Sequence, residues 1–175
     1  WDMAQRAHTD QLTGLANRHE FDVRGRQMLE AALARAGQIA VVVIDLDHFK
    51  RVNDEISHEA GDTVLKACAH ALQLHTGPRD LVARIGGDEF AVVRWLEPWD
   101  EVDEVVDRLR HDVEADMRAV APDAAKVGVS AGYASTLATG SFKVHELLRL
   151  ADEALVSGRR DGKGETYAAE PEPAL

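Results

Sequence analysis

The stretch Leu81-Val-Ala-Arg-Ile-Gly-Gly-Asp-Glu-Phe-Ala-Val-Val-Arg-Trp95 decides the fold of this chain. It contains two mainly apolar runs, Leu81–Ile85 and Phe90–Trp95, on either side of Gly86-Gly87-Asp88-Glu89. Runs of this length around a glycine-rich turn are typical of two antiparallel strands joined as a hairpin. We expect the paired glycines to supply the positive φ angles of a tight turn. The sequence therefore predicts a hairpin with two acidic residues at its tip.

A third strand is predicted upstream of the hairpin, at Ile39-Ala-Val-Val-Val-Ile44. A continuous run of β-branched residues is the pattern of a strand that is buried on both faces. Asp45 and Asp47 follow directly, so negative charge lies at the carboxyl end of this strand. If the strand lies beside the hairpin, these aspartates meet Asp88 and Glu89 at one edge of the sheet.

Apolar spacing and helix-terminal residues predict further elements on both sides of these strands. The simplest architecture is α+β, one mainly antiparallel sheet covered by helices in a ferredoxin-like arrangement. The predicted helices are Trp1–His8, Phe21–Ala36 with Gly37 at the C′ position, one contained within His58–Leu74, Asp100–Met117 and Val144–Leu155. The remaining strands are Lys126–Ala134, which we expect to be half-buried, and the short edge strand Thr166–Tyr167.

Length and charge exclude several classes of protein. The chain has 175 residues, a mass of 19.2 kDa and a net charge of −11, which predict a single acidic domain. A net negative charge argues against nucleic acid or an anionic membrane as the partner, but a local group of cations can still bind a small anion. The single cysteine, Cys68, rules out an internal disulfide and a cysteine-rich zinc site.

Targeting signals are missing from the segment. No apolar run approaches the ~18 residues that span a bilayer, and no signal peptide is recognisable, so we expect a cytoplasmic domain. Because the chain starts at Trp1 rather than methionine, we expect a fragment of a longer protein. A sensor, a regulatory domain or a membrane anchor would lie upstream.

Four carboxylates at one sheet edge would repel one another unless a cation compensates them. Oxygen ligands without histidine or cysteine favour Mg²⁺ or Mn²⁺, and magnesium held by carboxylates and substrate phosphates is common in nucleotide enzymes. The alternatives are a purely structural hairpin at Gly86–Glu89 and aspartates that only end a strand. From these residues alone both interpretations stay open.

Five blocks of sequence together resemble a known family. The hairpin residues Gly86-Gly-Asp-Glu-Phe90 resemble the signature of GGDEF domains, the diguanylate cyclases. The other four blocks follow the family's order across nearly the whole chain: Asp10-Gln-Leu-Thr-Gly-Leu-Ala-Asn-Arg18, Ile44-Asp-Leu-Asp-His-Phe-Lys-Arg-Val-Asn-Asp54, Ser57-His-Glu-Ala-Gly-Asp62 and Ala151-Asp-Glu-Ala-Leu155. A chance match to all five is very improbable.

The resemblance implies a nucleotide-cyclase fold and a specific reaction. Members of the family join two GTP molecules into cyclic di-GMP and release two pyrophosphates. Two divalent ions, Mg²⁺ or Mn²⁺, serve each active site, and each subunit of a homodimer holds one GTP. The implied domain is 10–168, preceded by the end of a linker helix at 1–9 and followed by a loose tail at 169–175.

The family's functional positions transfer to this chain residue by residue. Asp45 and Asp88 match side-chain ligands of the metal pair, Leu46 offers its backbone carbonyl, and Glu89 would help to position metal or substrate. Asn53 and Asp62 match the positions that bind guanine. The positions implied around the triphosphate are His48, Phe49, Lys50, Gly86, Gly87, Arg159 and Lys163, of which Lys50 is also grouped with Asp88 and Glu89 as catalytic.

Each of these positions also has a structural interpretation. Asp62 suits the N-cap of a helix. As an alternative, Asn53 is typical of a turn, and Lys50 is typical of a lysine on a solvent-exposed surface. Phe49 is better explained as part of the core than as a ligand contact, and His48 as a structural or surface residue.

The chain departs from the family in two places. Val156-Ser157-Gly158-Arg159 replaces the usual end of the last helix, which exchanges lysine and arginine at the positions of Arg159 and Lys163, and we expect Gly158 to loosen that turn. A family site for product inhibition, Arg-x-x-Asp, is here Gly77-Pro-Arg-Asp80 without the first arginine. The departure at residues 156–163 keeps a second hypothesis open, a degenerate domain that binds GTP or a protein without turnover, whereas the missing arginine predicts that product inhibition at this site is lost. A cyclase for other nucleotides is disfavoured by Asn53 and Asp62.

Overall fold

A five-stranded sheet forms the centre of the molecule. The computed structural model describes Met3 and residues 7–169. The strands are β1 (Gln38–Asp47), β2 (Leu81–Arg84), β3 (Glu89–Leu96), β4 (Gly128–Ser135) and β5 (Thr166–Ala168). Their order across the sheet is β2-β3-β1-β4-β5, and every neighbouring pair is antiparallel except β4 and β5. The predicted α+β fold, with a mainly antiparallel sheet, is confirmed.

The middle strands are buried on both faces. Residues 39–44 of β1 have no exposed surface, as expected for a strand between β3 and β4. The prediction that β4 is half-buried was wrong, because every residue from 129 to 135 is buried. The alternating apolar residues Val127, Val129, Ala131 and Tyr133 suggest a strand with one buried face. The small residues between them also lie under a helix, so both faces are buried.

Helices cover both faces of the sheet. They are α1 (Arg18–Ala34), α2 (Phe49–Glu55), α3 (His58–Leu74), α4 (Val102–Val120), α5 (Thr136–Thr139) and α6 (Val144–Gly158), with a 3-10 helix at Pro122–Lys126. One core packs α1 and α6 on the face that carries Val41 and Val43. The other packs α2, α3 and α4 on the face that carries Val42 and Ile44. The short helices α2 and α5 did not stand out in the sequence.

Helix ends follow local side-chain chemistry. Asn17 caps α1 by accepting a hydrogen bond from the backbone N–H of Glu20, so the helix starts three residues before the predicted Phe21. At the other end, Ala36 rather than Gly37 takes the left-handed conformation, with φ 52°. The N–H of Gly37 donates to the carbonyl of Ala32 at 2.8 Å, which makes Gly37 the C″ residue of a Schellman motif.

Helix α6 approaches the sheet closely because two glycines remove side chains from the contact. A methyl group at Gly132 would lie 2.2 Å from the carbonyl oxygen of Ala151. A methyl group at Gly158 would lie 2.0 Å from the ring of Tyr167 on β5. Gly158 is the last residue of α6 and packs on the edge strand, and the expected loosening of the turn after it stays a prediction.

Predictions for the chain ends fall largely outside the described part. The predicted helix Trp1–His8 and the loose tail from residue 169 lie almost wholly on residues that the structure does not describe. Within residues 7–169, no helix is long and apolar enough to cross a membrane.

Candidate active site at the end of strand β1

The two acidic segments of the sequence meet at one end of the sheet. Antiparallel pairing of β1 with β3 places Asp45 directly opposite Glu89. The N–H of Leu46 donates to the carbonyl oxygen of Asp88 at 3.3 Å, which continues the pairing into the turn. Directly opposed residues of an antiparallel pair project to the same face, so the carboxylates of Asp45 and Glu89 are neighbours.

Burial and mutual repulsion raise the pKa of two of these carboxyls. The pKa of Asp45 rises to about 6, first because burial disfavours its charge and next because Asp88 is close, although Arg159 opposes the rise. The pKa of Glu89 rises to about 7, through burial and then through Asp152, Asp45 and Asp88. Negative charge is therefore concentrated here beyond what the surrounding cations compensate.

An arginine that the sequence analysis overlooked holds the turn between β2 and β3. Arg84 donates from Nη2 to the carbonyl of Gly87 at 2.8 Å and from Nη1 to Asp10 at 3.1 Å. Asp10 is fixed in turn by the N–H and hydroxyl of Thr13, at 2.8 and 2.7 Å. Gly86 does not have a positive φ, and neither does Gly87, so the predicted turn conformation was wrong. The turn is shaped by Arg84 and by N–H donation from Ile85 and Gly86 to the carbonyl of Glu89.

Asp47 is a structural anchor of the loop that follows α6. It is 2% exposed and accepts hydrogen bonds from the Ser130 hydroxyl at 2.7 Å and the Gly164 N–H at 2.9 Å. It also accepts a short hydrogen bond from Arg159. Arg159 was predicted to contact a triphosphate, and the structure places its guanidinium between Asp47 and Asp45.

The two residues predicted to bind guanine lie on adjoining helices. Asn53 is on α2, and a methyl group at Gly61 of α3 would lie 1.9 Å from its Oδ1 atom. Asp62 is the next residue of α3 and is exposed. Because Ser57 caps α3 by accepting from the N–H of Ala60 at 3.0 Å, the alternative interpretation of Asp62 as the N-cap is wrong. Asn53 lies within α2, not in the turn suggested as its alternative.

The remaining predicted residues surround the same strand end. His48 is exposed with φ 64°, where β1 passes into α2, and Lys50 is exposed two residues further along the chain. Phe49 is 8% exposed and belongs to the core, as the structural interpretation predicted. Lys163 and His48 line a depression of about 380 Å³ beside Asp47. Their roles stay predictions.

The residues present fit a divalent cation. Asp45, Asp88 and Glu89 supply only oxygen ligands, and the pKa values of Asp45 and Glu89 are raised by burial and then by the neighbouring carboxylates. Among the described residues, no group of three or more histidine, cysteine or acidic side chains is already arranged around an ion position. Magnesium commonly uses one or two carboxylates together with water and substrate phosphates, so a complete protein cage is not required.

Comparison with known proteins assigns the family. The family described as "Diguanylate cyclase, GGDEF domain" matches residues 7–165. The chain belongs to the GGDEF family. The signature for which the family is named occupies residues 86–90, in the turn that carries Asp88 and Glu89 and at the start of β3.

Individual GGDEF proteins are similar over nearly the whole chain. Diguanylate cyclase TpbB of Pseudomonas aeruginosa is 36% identical over 96% of this chain and 39% of its own length. A crystal structure of the coiled coil and GGDEF domain of DgcB from Caulobacter crescentus, in complex with c-di-GMP, superimposes with a TM-score of 0.82 at 31% identity, covering 96% of this chain and 88% of that one.

Not every similar protein is named a cyclase. Cyclic di-GMP phosphodiesterase PdeB of Shewanella oneidensis is 33% identical over 94% of this chain and 19% of its own length. The chain thus spans well under half the length of these curated relatives. Family membership alone therefore does not decide what a whole protein containing this GGDEF domain does.

Proposed function

We propose that residues 10–168 form a diguanylate cyclase domain, which condenses two GTP molecules into cyclic di-GMP and two pyrophosphates. The observation that carries this proposal is the meeting of Asp45 with Asp88 and Glu89 at the end of β1, in a chain that belongs to the GGDEF family. Because GTP is an intracellular nucleotide, we expect the domain to work in the cytoplasm.

The acidic residues are proposed to hold two divalent ions, Mg²⁺ or Mn²⁺. The carboxylates of Asp45 and Asp88 and the backbone carbonyl of Leu46 are the proposed ligands, and Glu89 positions metal or substrate. Bound there, such ions would supply the positive charge that activates an attacking hydroxyl and stabilises a leaving pyrophosphate. The protein contributes a rigid frame, because β1 is buried and Arg84 braces the turn that carries Asp88.

Guanine recognition is assigned to Asn53 and Asp62. The exposed carboxylate of Asp62 can accept hydrogen bonds from the N1–H and exocyclic amine of guanine, a pair of donors that adenine does not present. The close packing of Asn53 on Gly61 brings an amide next to Asp62, which supports a shared role.

The triphosphate is proposed to lie along the β1–α2 junction. Lys50 and Lys163 supply positive charge there, and Arg159 is within reach from the end of α6. The absence of side chains at Gly86 and Gly87 leaves the turn open to phosphate oxygens, since a methyl group at Gly87 would meet nothing within 4 Å. His48 and the backbone of Phe49 complete this surface.

Two copies of the domain must face each other during the reaction. One site holds one GTP, whereas the product joins two, so each 3′-hydroxyl attacks the α-phosphate held by the partner. Prior dimerisation replaces an encounter between two separate complexes and raises the effective concentration of the reacting groups.

The test is incubation of the 175-residue chain with GTP and Mg²⁺, followed by separation of the products. We expect cyclic di-GMP and pyrophosphate in a 1:2 ratio and no cyclic product from ATP. Absence of cyclic di-GMP at all protein concentrations would overturn the proposal.

A catalytically weak or inactive GGDEF domain is the second candidate. It is favoured by the replaced helix end at residues 156–159 and by the similarity to PdeB, which is named as a phosphodiesterase. Such a domain would act by binding GTP or a protein partner. Calorimetric binding of GTP without any turnover would support this candidate.

A further inference from the structure

Arg159 spans two aspartates that the proposed chemistry uses differently. It lies at the C-cap of α6 and donates from Nη1 to Asp45 Oδ2 at 2.7 Å and from Nη2 to Asp47 Oδ1. One guanidinium therefore contacts both carboxylates at the end of β1 and compensates only one of their two negative charges. This contact joins residues 114 positions apart in the sequence.

The two halves of this contact differ in how firmly they are held. Asp47 is 2% exposed and is bound by the Ser130 hydroxyl and the Gly164 N–H as well as by Arg159. The side chain of Asp45 is 18% exposed and accepts a hydrogen bond from no described residue other than Arg159. The Nε–H of Arg159 is buried and has no partner among the described residues. Asp47 therefore holds the guanidinium in place, whereas the hydrogen bond from Arg159 to Asp45 is the one that another cation can replace.

We propose that Arg159 is a tethered counter-ion of Asp45, which a divalent cation must displace to reach that carboxylate. The proposal rests on the proposed function in one respect, that Asp45 is a metal ligand. A guanidinium and a divalent ion repel each other and would bind the same carboxylate, so they compete. Anchored by Asp47, the displaced Arg159 keeps Nη1 at the site and free to bind an anionic oxygen of the substrate.

The exchange depends on the planar, forked shape of arginine. A lysine can pair with Asp47 or with Asp45, but its single ammonium group does not span both as a guanidinium does. Arg159→Lys therefore keeps the formal charge and removes the bridge. The variant separates competition for Asp45 from a general electrostatic effect on cations.

The experiment is calorimetric titration of the 175-residue chain with MnCl₂ in the absence of nucleotide. We expect Arg159→Lys to bind Mn²⁺ about fivefold to tenfold more tightly than the wild type, as expected when one competing charge-assisted contact is removed. Arg149→Lys is the matched control, because Arg149 lies on the same helix and pairs with the exposed Glu153 at 2.7 Å. That control is expected to bind like the wild type.

Other outcomes overturn the proposal. Equal or weaker Mn²⁺ binding by Arg159→Lys means that Arg159 does not compete, and a purely structural role predicts this result together with a lower melting temperature. If Asp45→Asn still binds Mn²⁺ as the wild type does, Asp45 is not the ligand for which Arg159 competes. If no variant binds Mn²⁺, there is no bound cation for Arg159 to compete with. Tighter binding by Arg159→Lys without cyclic di-GMP synthesis by the wild type leaves this inference standing and overturns only the proposed function.

Discussion

Asp45 and Asp47 lie two residues apart on β1, yet their carboxylates have different neighbours. Asp47 is buried and hydrogen-bonded to Ser130 and Gly164, which suits a permanent structural charge. Asp45 is partly exposed and lies near Asp88 and Glu89, an arrangement that suits a carboxylate that binds a cation. Residues of the same type therefore serve structure and proposed chemistry at adjacent positions on one face of a strand.

Asp88 should be required for activity but not for folding. Its carboxylate makes no hydrogen bond or ion pair with the described residues, and its backbone carbonyl makes the contact with Leu46. We expect Asp88→Ala to reduce cyclic di-GMP formation by at least about a hundredfold, because a metal ligand is lost. The free energy of unfolding should change by less than about 0.5 kcal/mol. Product analysis and urea unfolding measure the two effects.

The matched control for Asp88 is Asp103→Ala, an exposed acidic residue on α4. It removes the same charge away from the site and should leave both activity and stability unchanged. Normal product formation by Asp88→Ala would contradict the assigned role.

Glu89 should make the metal-free protein less stable as the pH rises. Its pKa is raised from 4.5 to about 7, so the folded state holds this proton more tightly than the unfolded state. The stability that Glu89 contributes is present below about pH 4.5 and is lost as the pH rises through about 7. Glu89→Gln avoids the loss, so its melting temperature should match the wild type at pH 5 and exceed it by about 2 °C at pH 8, a small shift because the site is partly exposed.

Thermal unfolding in EDTA at several pH values tests the effect of Glu89. Glu30→Gln, which removes an exposed carboxyl on α1, should follow the wild type at every pH. If the melting temperatures of Glu89→Gln and the wild type differ by the same amount at pH 5 and at pH 8, the pKa of Glu89 is not raised in the folded protein.

At the scale of elements, the packing of α6 on β4 positions Arg159 and Asp152 beside the acidic cluster. The approach is close because Gly132 has no side chain, and a methyl group there would lie 2.2 Å from a backbone oxygen of α6. Backbone cannot move aside as a flexible side chain can. The position of the last helix is thus determined by a glycine of the neighbouring strand.

Gly132→Ala should lower the free energy of unfolding by about 3 kcal/mol, the upper range for overpacking in a core. Urea denaturation of the variant measures the change. Gly77→Ala is the control, because its nearest neighbour would be Asp80 Oδ2 at an ordinary 3.5 Å, and it should change stability little. Equal stability of the two variants would show that α6 is not held by this contact.

The loop before β2 uses Asp80 for its own structure. Asp80 accepts from the N–H of Gly77 at 2.7 Å and of Trp95 at 3.0 Å, and its side chain is 7% exposed. Arg79 pairs with Glu97 at 2.5 Å and lies over the ring of Trp95. Neither side chain is presented to a ligand in the way that a paired Arg-x-x-Asp site requires.

We therefore expect the initial rate of GTP conversion to be insensitive to added cyclic di-GMP. Rates measured with increasing product test this, with Gly77→Arg as the variant that restores the missing arginine. Strong inhibition of the wild type at micromolar product would contradict the prediction, as long as competition at the GTP site is excluded by raising GTP.

At the scale of the whole molecule, the site draws on both faces of the sheet. Asp45 and Glu89 share one face with α1 and α6, whereas Asn53 and Asp62 are carried by helices on the other. They converge because β1 ends at this edge and α2 follows it immediately. A substrate held at the strand end would thus contact both helical layers, and its reacting phosphate would face outward toward a second copy.

The dimer requirement predicts a rate per subunit that rises with protein concentration. Fusion of a parallel dimeric coiled coil upstream of residue 1 should raise the rate at low concentration and remove the dependence, since the second copy is then supplied within the same molecule. A monomeric helical fusion of equal length is the control. A rate per subunit that stays constant for the unfused chain, while that chain remains monomeric, would contradict a reaction between two copies.

Local patterns in the sequence determined much of this protein. The unbroken apolar run at 39–44 specified a doubly buried strand, because strand patterns act over a few residues. The signature at 86–90 specified where the hairpin turns and which family the chain resembles, but not the conformation of the turn. A helix within residues 58–74 was predicted from its apolar stripe, and the structure shows that the helix fills this range as His58–Leu74, with Ser57 as its N-cap. In each case the residues that determine the feature lie within the same short segment of sequence.

Only the tertiary structure decided what depends on distant partners. The burial of β4 on both faces follows from its place between β1 and β5 and from the helix above Gly132. The raised pKa of Glu89 depends on its burial and then on Asp152 of α6. The bridge from Arg159 to Asp45 and Asp47 joins residues more than a hundred positions apart. Electrostatic and packing energies depend on distances in space, and chain folding sets those distances through the whole sheet at once.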